Sequence, residues 1–431
     1  MELSVFVLVF SFVILLSLNV PIAISIGVST ILTMLFTIAP GPAVTTVAQQ
    51  MATGINSFTL LAIPFFILSG MLMGRGGIAR RLIDMAKVIV GVFPGGLAYV
   101  NILACMFFGA ISGSAVAATS AIGGFMIPVM NKEGYDKNFN TAITVTASTT
   151  GLLIPPSNVL IVYSLASGGV SIAALFIAGY LPGILVGLGL MGVAAITAVI
   201  KKYPTGDRVK LLDALKKILD SIPSLLLIVI VIGGIIAGIF TATEASAVAV
   251  LYSLLLSVLI YREVKWKEIP EILLKTVETT AIVMLLIGAS TAMSWILSYE
   301  NIPQTISTTL VNLTDSKIAI FLIINLILLM VGTFMDMTPA VLIFTPIFLP
   351  VAINLGMDPI HFGIMMVLNL CIGLCTPPVG SVLFVGCGIS KTSITDMVKP
   401  LLPLYIAMIV ALLLVTYIPE LSLFLPEFFG Y

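Results

Sequence analysis

Charged residues are scarce in this 431-residue chain: they make up 9% of the sequence, against about 25% in ordinary soluble domains. Hydrophobic residues account for 60%, and the mean hydropathy is +1.23. This balance excludes a soluble globular protein and predicts a chain that lies in a lipid bilayer. The 19 basic and 19 acidic residues give zero net charge, so nothing suggests binding to nucleic acid.

Histidine and cysteine are also rare. The chain has one histidine, His361, and four cysteines that all lie in apolar stretches. One histidine is too few to complete a metal cluster with Cys371 and Cys375, so we expect packing roles for the cysteines. The segment 1–38 is too long, and too uncharged at its start, for a cleavable signal peptide; we expect membrane spans of the mature chain there.

Long apolar runs predict the membrane spans, because a crossing needs about 20 apolar residues. Residues 2–38 would form a helix of about 55 Å, too long for one crossing, and Asn19–Pro21 offers a turn between two spans. Segment 207–222 has apolar residues at helical spacing and predicts either a helix on the cytoplasmic interface or a solvated linker helix. Further spans are predicted at 57–74, 139–167, 172–199, 222–240, 244–262, 275–298, 361–390 and 401–425.

Two more apolar stretches, 96–130 and 317–352, are interrupted by small or polar residues, AISGSAVAA and GTFMDMTPA. Hairpins that enter and leave on one side fit these stretches better than straight crossings. With the N-terminus outside, about ten crossings and two re-entrant hairpins, 18 of the 19 basic residues fall inside, as the positive-inside rule requires; Lys317 falls outside. Full crossings would separate the basic loop 201–217 from the loop at Lys132. The predicted fold is thus an all-α polytopic membrane protein.

The chain contains an internal repeat: GLLIPPSNVLIVY (151–163) matches GLCTPPVGSVLFV (373–385), and this spacing defines the repeat offset. In the predicted topology the two Pro-Pro pairs are met in opposite directions, so residues 1–215 and 216–431 are predicted to be inverted repeats, as in secondary transporters. The residues that recur at the same offset, without a gap, are Pro128, Gly134, Asp136, Gly151, Pro155, Pro156, Ser171 and Ile172.

Each Pro-Pro pair predicts an unwound segment inside a span, because proline removes a backbone donor and clashes with the preceding turn. The freed carbonyls must find partners within the protein or at a bound ion. A plain kink with a packing role is the alternative. Two related pairs, each accompanied by a broken hairpin, favour a functional role.

Several motifs resemble the large membrane subunit of tripartite ATP-independent periplasmic (TRAP) transporters, of the ion transporter superfamily. They are FFGAISGSAVAAT, GLLIPPSNVLIVYS, LFIAGYLPG, GIFTATEASAVAVLY and GLCTPPVGSVLFVGC, and the resemblance runs from LLAIPFFILSG (60–70) to VKPLLPLYIAM (398–408). The family often has proline where this chain has Ala242.

The resemblance implies a bacterial inner-membrane complex with a small membrane subunit and a periplasmic substrate-binding protein. It also implies sodium-coupled uptake of organic acids by an elevator-like movement. We expect a mobile transport domain from 96–199 and 317–425, and a scaffold mainly from 1–75 and 222–298.

Each half pairs a hairpin tip with an unwound helix, and their oxygens suit sodium, which wants five or six oxygen ligands as other hard cations do. The first tip offers no titratable group, which favours Na⁺ over H⁺, and we expect at least two Na⁺ sites. The candidate ligands are Ser112, Gly113, Ser114, Gly151, Pro155, Pro156 and Asn158 in the first half, and Gly332, Thr333, Asp336, Thr376, Pro377, Val379 and Gly380 in the second.

Asp336 is the one charged residue between Ile318 and Met357, and a carboxylate in such an apolar span is costly. We expect it to help hold one Na⁺; a satisfied helix N-cap is the alternative. A carboxylate substrate is expected between the tips, where half-helices begin and present N–H groups. Its candidate ligands are Ser114, Asn158, Thr338 and Ser381. C4-dicarboxylates, sialic acid and other sugar or keto acids all fit a small carboxylate site. The motif LCTPPVGSVLFVGC favours a sugar acid such as sialic acid.

Two other functions remain open from the sequence. One is a self-sufficient Na⁺/carboxylate symporter that needs no binding protein. The other is a membrane-embedded hydrolase or transferase using Asp336 and His361, although no nucleophile–base pair accompanies them. We expect His361 to be an interfacial or capping residue near the outer face, and Thr241 to form a capping box with Glu244.

Overall fold

The computed structural model describes residues 2–206, 210–314 and 316–431, and in these ranges the chain folds into α-helices joined by short turns. The described part holds eight helical stretches long and apolar enough, by length and composition, to cross a membrane. The predicted all-α polytopic fold is confirmed. The eight stretches are Phe58–Arg75, Ile172–Lys201, Leu211–Ile236, Ala242–Ile260, Trp266–Tyr299, Lys317–Phe334, Met337–Asn354 and Ile394–Tyr417.

The N-terminal apolar run forms two helices, as predicted. α1 (Glu2–Ser17) ends in a turn where Asn19 has a φ of +60°, and Pro21 precedes α2 (Ile22–Thr37). α3 (Pro40–Ile55) was not predicted, because its apolar content is low. It packs along α15 (Ile269–Tyr299), where Gly54 meets the side chain of Thr291.

A second group of helices packs around α4 (Ala62–Arg75), which follows a 3-10 turn at Phe58–Leu61. Ser69 Oγ of α4 lies 2.7 Å from Ser253 Oγ of α14, and α4 also runs along α15. The capping box of Thr241 and Glu244 at the start of α14 is confirmed. The other helices of this group are α5 (Ile78–Val90), α13 (Leu211–Ile236), α14 (Ala242–Leu254) with a π turn at Leu255–Ile260, and α15 (Ile269–Tyr299). The next helix, α16 (Ile302–Leu313), packs mainly on α18 (Met337–Asn354).

The predicted separation of a surface helix at 207–222 from a span at 222–240 is wrong. One helix, α13, runs from Leu211 to Ile236, and residues 207–209 lie outside the described residues. No glycine interrupts the chain where the amphipathic part meets the apolar part, and Pro223 is accommodated within the helix. The helix therefore continues through this boundary, with one backbone hydrogen bond missing at Pro223.

Both predicted hairpins turn the chain back on itself. In the first, Asn101 near the start of α6 donates a hydrogen bond to Met130 Sδ near the end of α8, at 3.8 Å. In the second, Lys317 Nζ at the start of α17 lies 3.8 Å from the position of a Cβ added to Gly356, just beyond α18. Their helices are α6 (Gly96–Ser112), α7 (Ala115–Ala118), a π turn at Thr119–Gly123 and α8 (Gly124–Lys132), and α17 (Lys317–Phe334) and α18 (Met337–Asn354).

A broken helix follows each hairpin, and the first helix of each pair, α9 or α19, starts at the predicted repeat offset. The Asp136 carboxylate accepts a hydrogen bond from the Phe139 N–H, and Asp358 caps its helix in the same way through Ile360. Ser171 and Ser393 cap later helices of each half. The helices are α9 (Lys137–Thr150), α10 (Asn158–Ala166), α11 (Ile172–Ala178) and α12 (Tyr180–Lys201), and α19 (Pro359–Gly373), α20 (Ser381–Ser390) and α21 (Ile394–Tyr417).

The loop before α9 is fixed to the end of α12. The Asp136 N–H donates to the Tyr203 hydroxyl at 3.1 Å, and Lys201 Nζ lies 3.0 Å from the Asp136 carboxylate. Partial burial raises the pKa of Asp136, but hydrogen bonds from Phe139 and Lys201 outweigh it and hold that pKa below its usual value. The predicted turn and cap role of Asp136 is confirmed.

One prediction near the C-terminus is wrong, and one residue there is more deeply packed than the sequence indicated. The span predicted at 401–425 is two helices, because α21 ends at Tyr417 before Pro419 and α22 (Glu420–Phe428) starts anew. His361, predicted to be interfacial or capping, is buried in the protein: it is 2% exposed, and its Nε2 lies 2.6 Å from Val415 O of α21. Packing of α21 over the start of α19 buries this histidine, which the sequence of either helix does not reveal.

Candidate functional site

The two helix breaks lie in corresponding parts of the two repeats. Residues 151–157 separate α9 from α10, and residues 374–380 separate α19 from α20. Each break contains its predicted Pro-Pro pair, and both Pro-Pro peptide bonds are cis. The helical hydrogen-bond ladder stops within each segment, as adjacent prolines require.

The first hairpin tip is the turn at Ser112, Gly113 and Ser114. Gly113 has a φ of +61°, which favours glycine, and a Cβ added there would lie 2.9 Å from Asn158 Nδ2. The Ser114 hydroxyl accepts a hydrogen bond from the Ala117 N–H at 3.2 Å and so caps α7. The first tip therefore lies directly against the start of α10.

Three buried oxygen atoms at the breaks have no hydrogen-bond partner within the described protein: Ser157 Oγ, Asn158 Oδ1 and Ser381 Oγ. Such atoms are normally satisfied, because an unpaired buried polar atom costs about 1–3 kcal/mol. Ser157 is fully buried and was not among the predicted ligands. Its position between Pro156 and Asn158 was the available sequence signal. These three oxygens are free to bind an ion or a ligand.

The second hairpin tip brings Asp336 to the start of α18. Asp336 occupies the N-cap position, but its side chain makes no capping hydrogen bond and is exposed to a cavity. The satisfied-cap alternative is therefore not supported by this geometry. The Gly380 N–H donates to Thr333 O at 3.2 Å, which joins the second break to the second tip. A carboxylate without a capping partner thus faces open space between helices.

Pairs of glycines join each hairpin arm to its broken helix. A Cβ added to Gly151 would lie 2.4 Å from Gly109 Cα, and one added to Gly373 would lie 2.5 Å from Gly332 Cα. These distances leave no room for a side chain, so α6 meets α9, and α17 meets α19, backbone to backbone. Close backbone packing therefore explains why glycine stands at positions 151 and 332, which the sequence had predicted only as Na⁺ ligands.

The tips and the breaks face one cavity of about 760 Å³. One wall comes from the two hairpins and from the starts of α10 and α20; the other comes from one face of α4 and one face of α15. The four predicted substrate ligands, Ser114, Asn158, Thr338 and Ser381, all line it, together with Asp336. The structure brings these residues together from separate helices, and their roles stay predictions.

The predicted Na⁺ ligands divide into two groups. Ser112, Gly113, Ser114, Asn158 and Asp336 line the cavity. The others lie in the breaks or on the hairpin arm beside them: Gly151, Pro155, Pro156, Gly332, Thr333, Thr376, Pro377, Val379 and Gly380.

Side-chain oxygens at the breaks are mostly neutral. Within the described ranges no three His, Cys, Asp or Glu side chains converge as a metal site would need. Two hydroxyls and an amide supply unpaired oxygens instead, at Ser157, Ser381 and Asn158, and the Asp336 carboxylate adds oxygens that make no capping hydrogen bond. This is an oxygen-only donor set, which suits a hard cation.

The wall formed by α4 and α15 was missed by sequence analysis. A Cβ added to Gly70 of α4 would lie 2.7 Å from Ser112 O, so α4 contacts the first tip. Arg75 ends α4 and Lys275 lies on α15, and both reach the cavity. Each lies near the end of a predicted span, and only the packing of α4 on α15 brings them together.

Comparison with known proteins agrees with this architecture. Residues 9–421 match the family described as "Tripartite ATP-independent periplasmic transporter, DctM component". The chain belongs to this family. As a permease component of a transporter it is a multi-pass membrane protein, which sets aside the hydrolase or transferase alternative.

Relatives of the permease match it over most of its length. It is 56% identical to the protein YgiK of Salmonella typhimurium, over 99% of this chain and 98% of that one. It is 43% identical to the C4-dicarboxylate TRAP transporter large permease protein DctM of Pseudomonas aeruginosa, over 94% of each chain. It is 39% identical to the sialic acid TRAP transporter large permease protein SiaM of Vibrio cholerae, over 89% of this chain and 90% of that one.

A solved structure shares the permease fold. The YdaH transporter of Alcanivorax borkumensis, described as having an unusual topology, superposes with a TM-score of 0.63 over 86% of each chain. The two sequences are 12% identical, so this likeness concerns the fold alone.

Proposed function

We propose that this chain is the large transmembrane component of a Na⁺-coupled importer of organic acids. The observation that carries the proposal is the cavity between two hairpin tips and two helix breaks, with free oxygens at each break. Inverted repeats with broken helices near the midplane are typical of secondary transporters.

The first proposed Na⁺ position lies at the first tip and the first break. Ser157 Oγ and Asn158 Oδ1 lack partners there, and carbonyls freed by the break add further oxygens. A hard cation of this kind takes about six oxygen ligands. Sodium would compensate the cost of leaving these buried oxygens unpaired.

The second proposed Na⁺ position uses Asp336 with the carbonyls at Thr333 and Thr376. A carboxylate inside a membrane protein is expensive unless a cation neutralises it, and Asp336 has no capping partner. The structural link between Gly380 and Thr333 supports this position, because it joins tip and break into one unit. We propose at least these two sodium positions.

The substrate is proposed to bind between the tips, at Ser114, Asn158, Thr338 and Ser381. α10, α18 and α20 begin at the cavity, and helix N-termini with free N–H groups attract a carboxylate. Relatives named for C4-dicarboxylate and for sialic acid support an organic acid as substrate.

Transport is proposed to follow an elevator movement. Residues 96–199 and 317–425 would move as a transport domain against a scaffold built mainly from 1–75 and 222–298. The cavity supports this division, because its two walls come from the two proposed domains. α4 contacts the first tip at Gly70 without an interlocking side chain, which suits a sliding surface.

The proposed assembly has two further proteins. A small membrane subunit would bind the scaffold, and a periplasmic binding protein would deliver the substrate, as the family description implies. The complex would lie in a bacterial inner membrane with the N-terminus of this chain in the periplasm. In that orientation the cavity end at Arg75 and Lys275 faces the cytoplasm.

The test is uptake into proteoliposomes that hold this chain and its small subunit, with the binding protein outside. Labelled succinate or sialic acid should enter under an inward Na⁺ gradient. Asp336→Asn should lower uptake about tenfold or more, because it removes the charge on which the second proposed Na⁺ position depends. Asp213→Asn, at an exposed carboxylate on α13, serves as the matched control and should leave uptake nearly unchanged.

Uptake driven by a proton gradient without Na⁺ would overturn the sodium assignment, and full activity of Asp336→Asn would return that residue to a packing role. Uptake by this chain without the binding protein would favour the self-sufficient symporter instead.

A further inference from the structure

Two basic side chains lie at one end of the cavity. Among the charged residues that line it in the described part of the chain, Arg75 and Lys275 are the cations and Asp336 is the carboxylate. The proposed substrate and sodium positions use neither cation.

Helix geometry places these cations away from the tips. α4 contacts the first tip at Gly70, and Arg75 lies five positions further on, about 7–8 Å along the helix axis. On α15, Lys275, Thr279 and Val283 face the cavity at one-turn spacings, so Lys275 lies about 12 Å from Val283. The two cations thus lie towards the end of the cavity away from the Gly70 contact, and their partial exposure to solvent marks that end as its mouth.

Glu271 holds both cations in position. Arg75 Nη2 lies 2.7 Å from Glu271 Oε1 and Nη1 lies 3.3 Å from Oε2, a bidentate arrangement, while Lys275 Nζ lies 3.1 Å from Oε1. Within this triad, one carboxylate for two cations leaves one net positive charge. Glu268 also lies near Arg75; it accepts a hydrogen bond from the Lys265 N–H at 2.7 Å and keeps its negative charge, so it weakens the positive field further.

The cluster is in contact with water. The side chains of Arg75, Glu271 and Lys275 are 35%, 53% and 52% exposed. Arg75 and Lys275 each keep N–H donors beyond those that Glu271 accepts. A carboxylate at the mouth can therefore be hydrogen-bonded without breaking the existing contacts.

We propose that Arg75 and Lys275 form an anion-binding position at the mouth of the cavity, distinct from the position between the tips, and that Glu271 limits its strength. The ligand is a small carboxylate that passes between the tips and bulk water. A transit position must bind weakly enough to release its ligand, and a partly neutralised pair of cations meets that need. The identity of the carboxylate rests on the proposed function, whereas the positive charge at the mouth does not.

The test measures anion access directly in the purified full chain. Thr279→Cys, one turn from Lys275, is labelled with a bimane fluorophore; the four native cysteines are buried and free. Quenching by iodide, the probe anion, is compared with quenching by neutral acrylamide. The iodide-to-acrylamide ratio should fall about two- to threefold in Arg75→Gln and in Lys275→Gln, and the difference should shrink at high salt.

Glu271→Gln distinguishes this proposal from a purely structural ion pair. Removing the carboxylate releases both cations, so the ratio should rise about two- to threefold, opposite to Arg75→Gln. A structural link between α4 and α15 would be lost in both variants and would move both ratios in the same direction. That result, or no change in any of the three variants, overturns the proposal.

If Arg75→Gln does not fold, Lys275→Gln still tests the proposal, because the Lys275 side chain makes a surface ion pair within one turn of its own helix. The assay uses no sodium gradient, binding protein or transported substrate. A failure of the proposed transport function therefore leaves its result unchanged, and a failure here leaves the uptake experiment unchanged.

Discussion

At the residue scale, the most informative atoms are the free oxygens at Ser157, Asn158 and Ser381. Most other buried hydroxyls in this chain bond to a carbonyl in the preceding turn of their own helix; Thr144 and Thr146 of α9 are examples, at 2.7 and 2.9 Å. That pattern lets a polar helix be buried at little cost. In the second break the Thr376 hydroxyl still donates to Ile372 O at 2.7 Å, but in the first break the Ser157 hydroxyl has no such partner and is available to a ligand.

Ser157→Ala should weaken sodium binding without destabilising the sodium-free protein, because Ser157 Oγ has no protein partner to lose. In detergent, Na⁺ should raise the melting temperature of the wild type relative to K⁺, since a ligand that binds the folded state stabilises it. The Na⁺ concentration needed for half of that rise should increase about tenfold in Ser157→Ala.

Ser246→Ala is the matched control for Ser157→Ala. Ser246 is also fully buried, but its hydroxyl donates to Thr243 O at 2.6 Å on α14, away from the breaks. It should leave the sodium dependence unchanged. An unaltered sodium response in Ser157→Ala would show that this serine does not hold the ion.

The sequence singled out Asp336 but not its surroundings in the folded protein. Its isolation in an apolar run was visible in the sequence and predicted a functional carboxylate. Its exposure to a cavity shared with Asn158 and Ser381 was not visible, because these residues come from separate helices. The residue type could be predicted from the sequence, and its surroundings could not.

At the element scale, the glycine pairs set how closely hairpin arms and broken helices approach. Gly109 meets Gly151, and Gly332 meets Gly373, at distances that exclude a side chain. The sequence offered Gly151 and Gly373 as repeat-related positions. It did not predict the partner glycines, Gly109 and Gly332. The repeat offset places the counterpart of Gly109 one position before Gly332, so the two glycines do not align in the repeat.

Gly373→Ala should destabilise the protein, because its Cβ would lie 2.5 Å from Gly332 Cα and the two backbones would have to separate. Overpacking of this kind costs about 1–3 kcal/mol. The melting temperature in detergent should fall, and so should uptake, since the second tip and break would move apart.

Gly192→Ala on α12 is the control for Gly373→Ala, since a Cβ added there has no atom within 4 Å. Alanine in an open helical position should be neutral or slightly stabilising. Equal melting temperatures for the two variants would contradict the proposed close approach of α17 and α19.

At the scale of the whole molecule, the cavity lies between α4 and α15 on one side and the hairpins and broken helices on the other. Contacts across this boundary include the Phe66 and Phe176 rings, whose centroids are 6.4 Å apart. A movement between the two walls would change such contacts and leave those within one wall intact.

Cross-linking can test this movement. A short thiol cross-linker in Phe66→Cys/Phe176→Cys joins the two proposed domains and should stop uptake in proteoliposomes, with recovery when a cleavable linker is reduced. Ser69→Cys/Ser253→Cys joins α4 to α14, whose hydroxyls lie 2.7 Å apart within the proposed scaffold, and should leave uptake intact. Continued uptake in the first cross-linked variant would contradict an elevator movement across this boundary.

Much of the large-scale organisation could be predicted from the sequence. The membrane environment, the turn at Asn19–Pro21, both hairpins, both breaks and the repeat offset depend on hydrophobic length and on proline and glycine. The helix α3 was missed because its apolar residues are sparse, and α5 was missed because Arg80, Arg81, Asp84 and Lys87 interrupt its apolar run. The helix α13 was wrongly divided because an amphipathic part and an apolar part form one helix.

The sequence by itself determined where the helices stop, because proline, glycine and capping residues act on their own neighbours along the chain. Tertiary structure alone decided which side chains share the cavity. Arg75 and Lys275, far apart in the sequence, become neighbours because α4 packs on α15, and His361 is buried because α21 covers it. Such contacts depend on the packing of distant helices, which local sequence patterns do not encode.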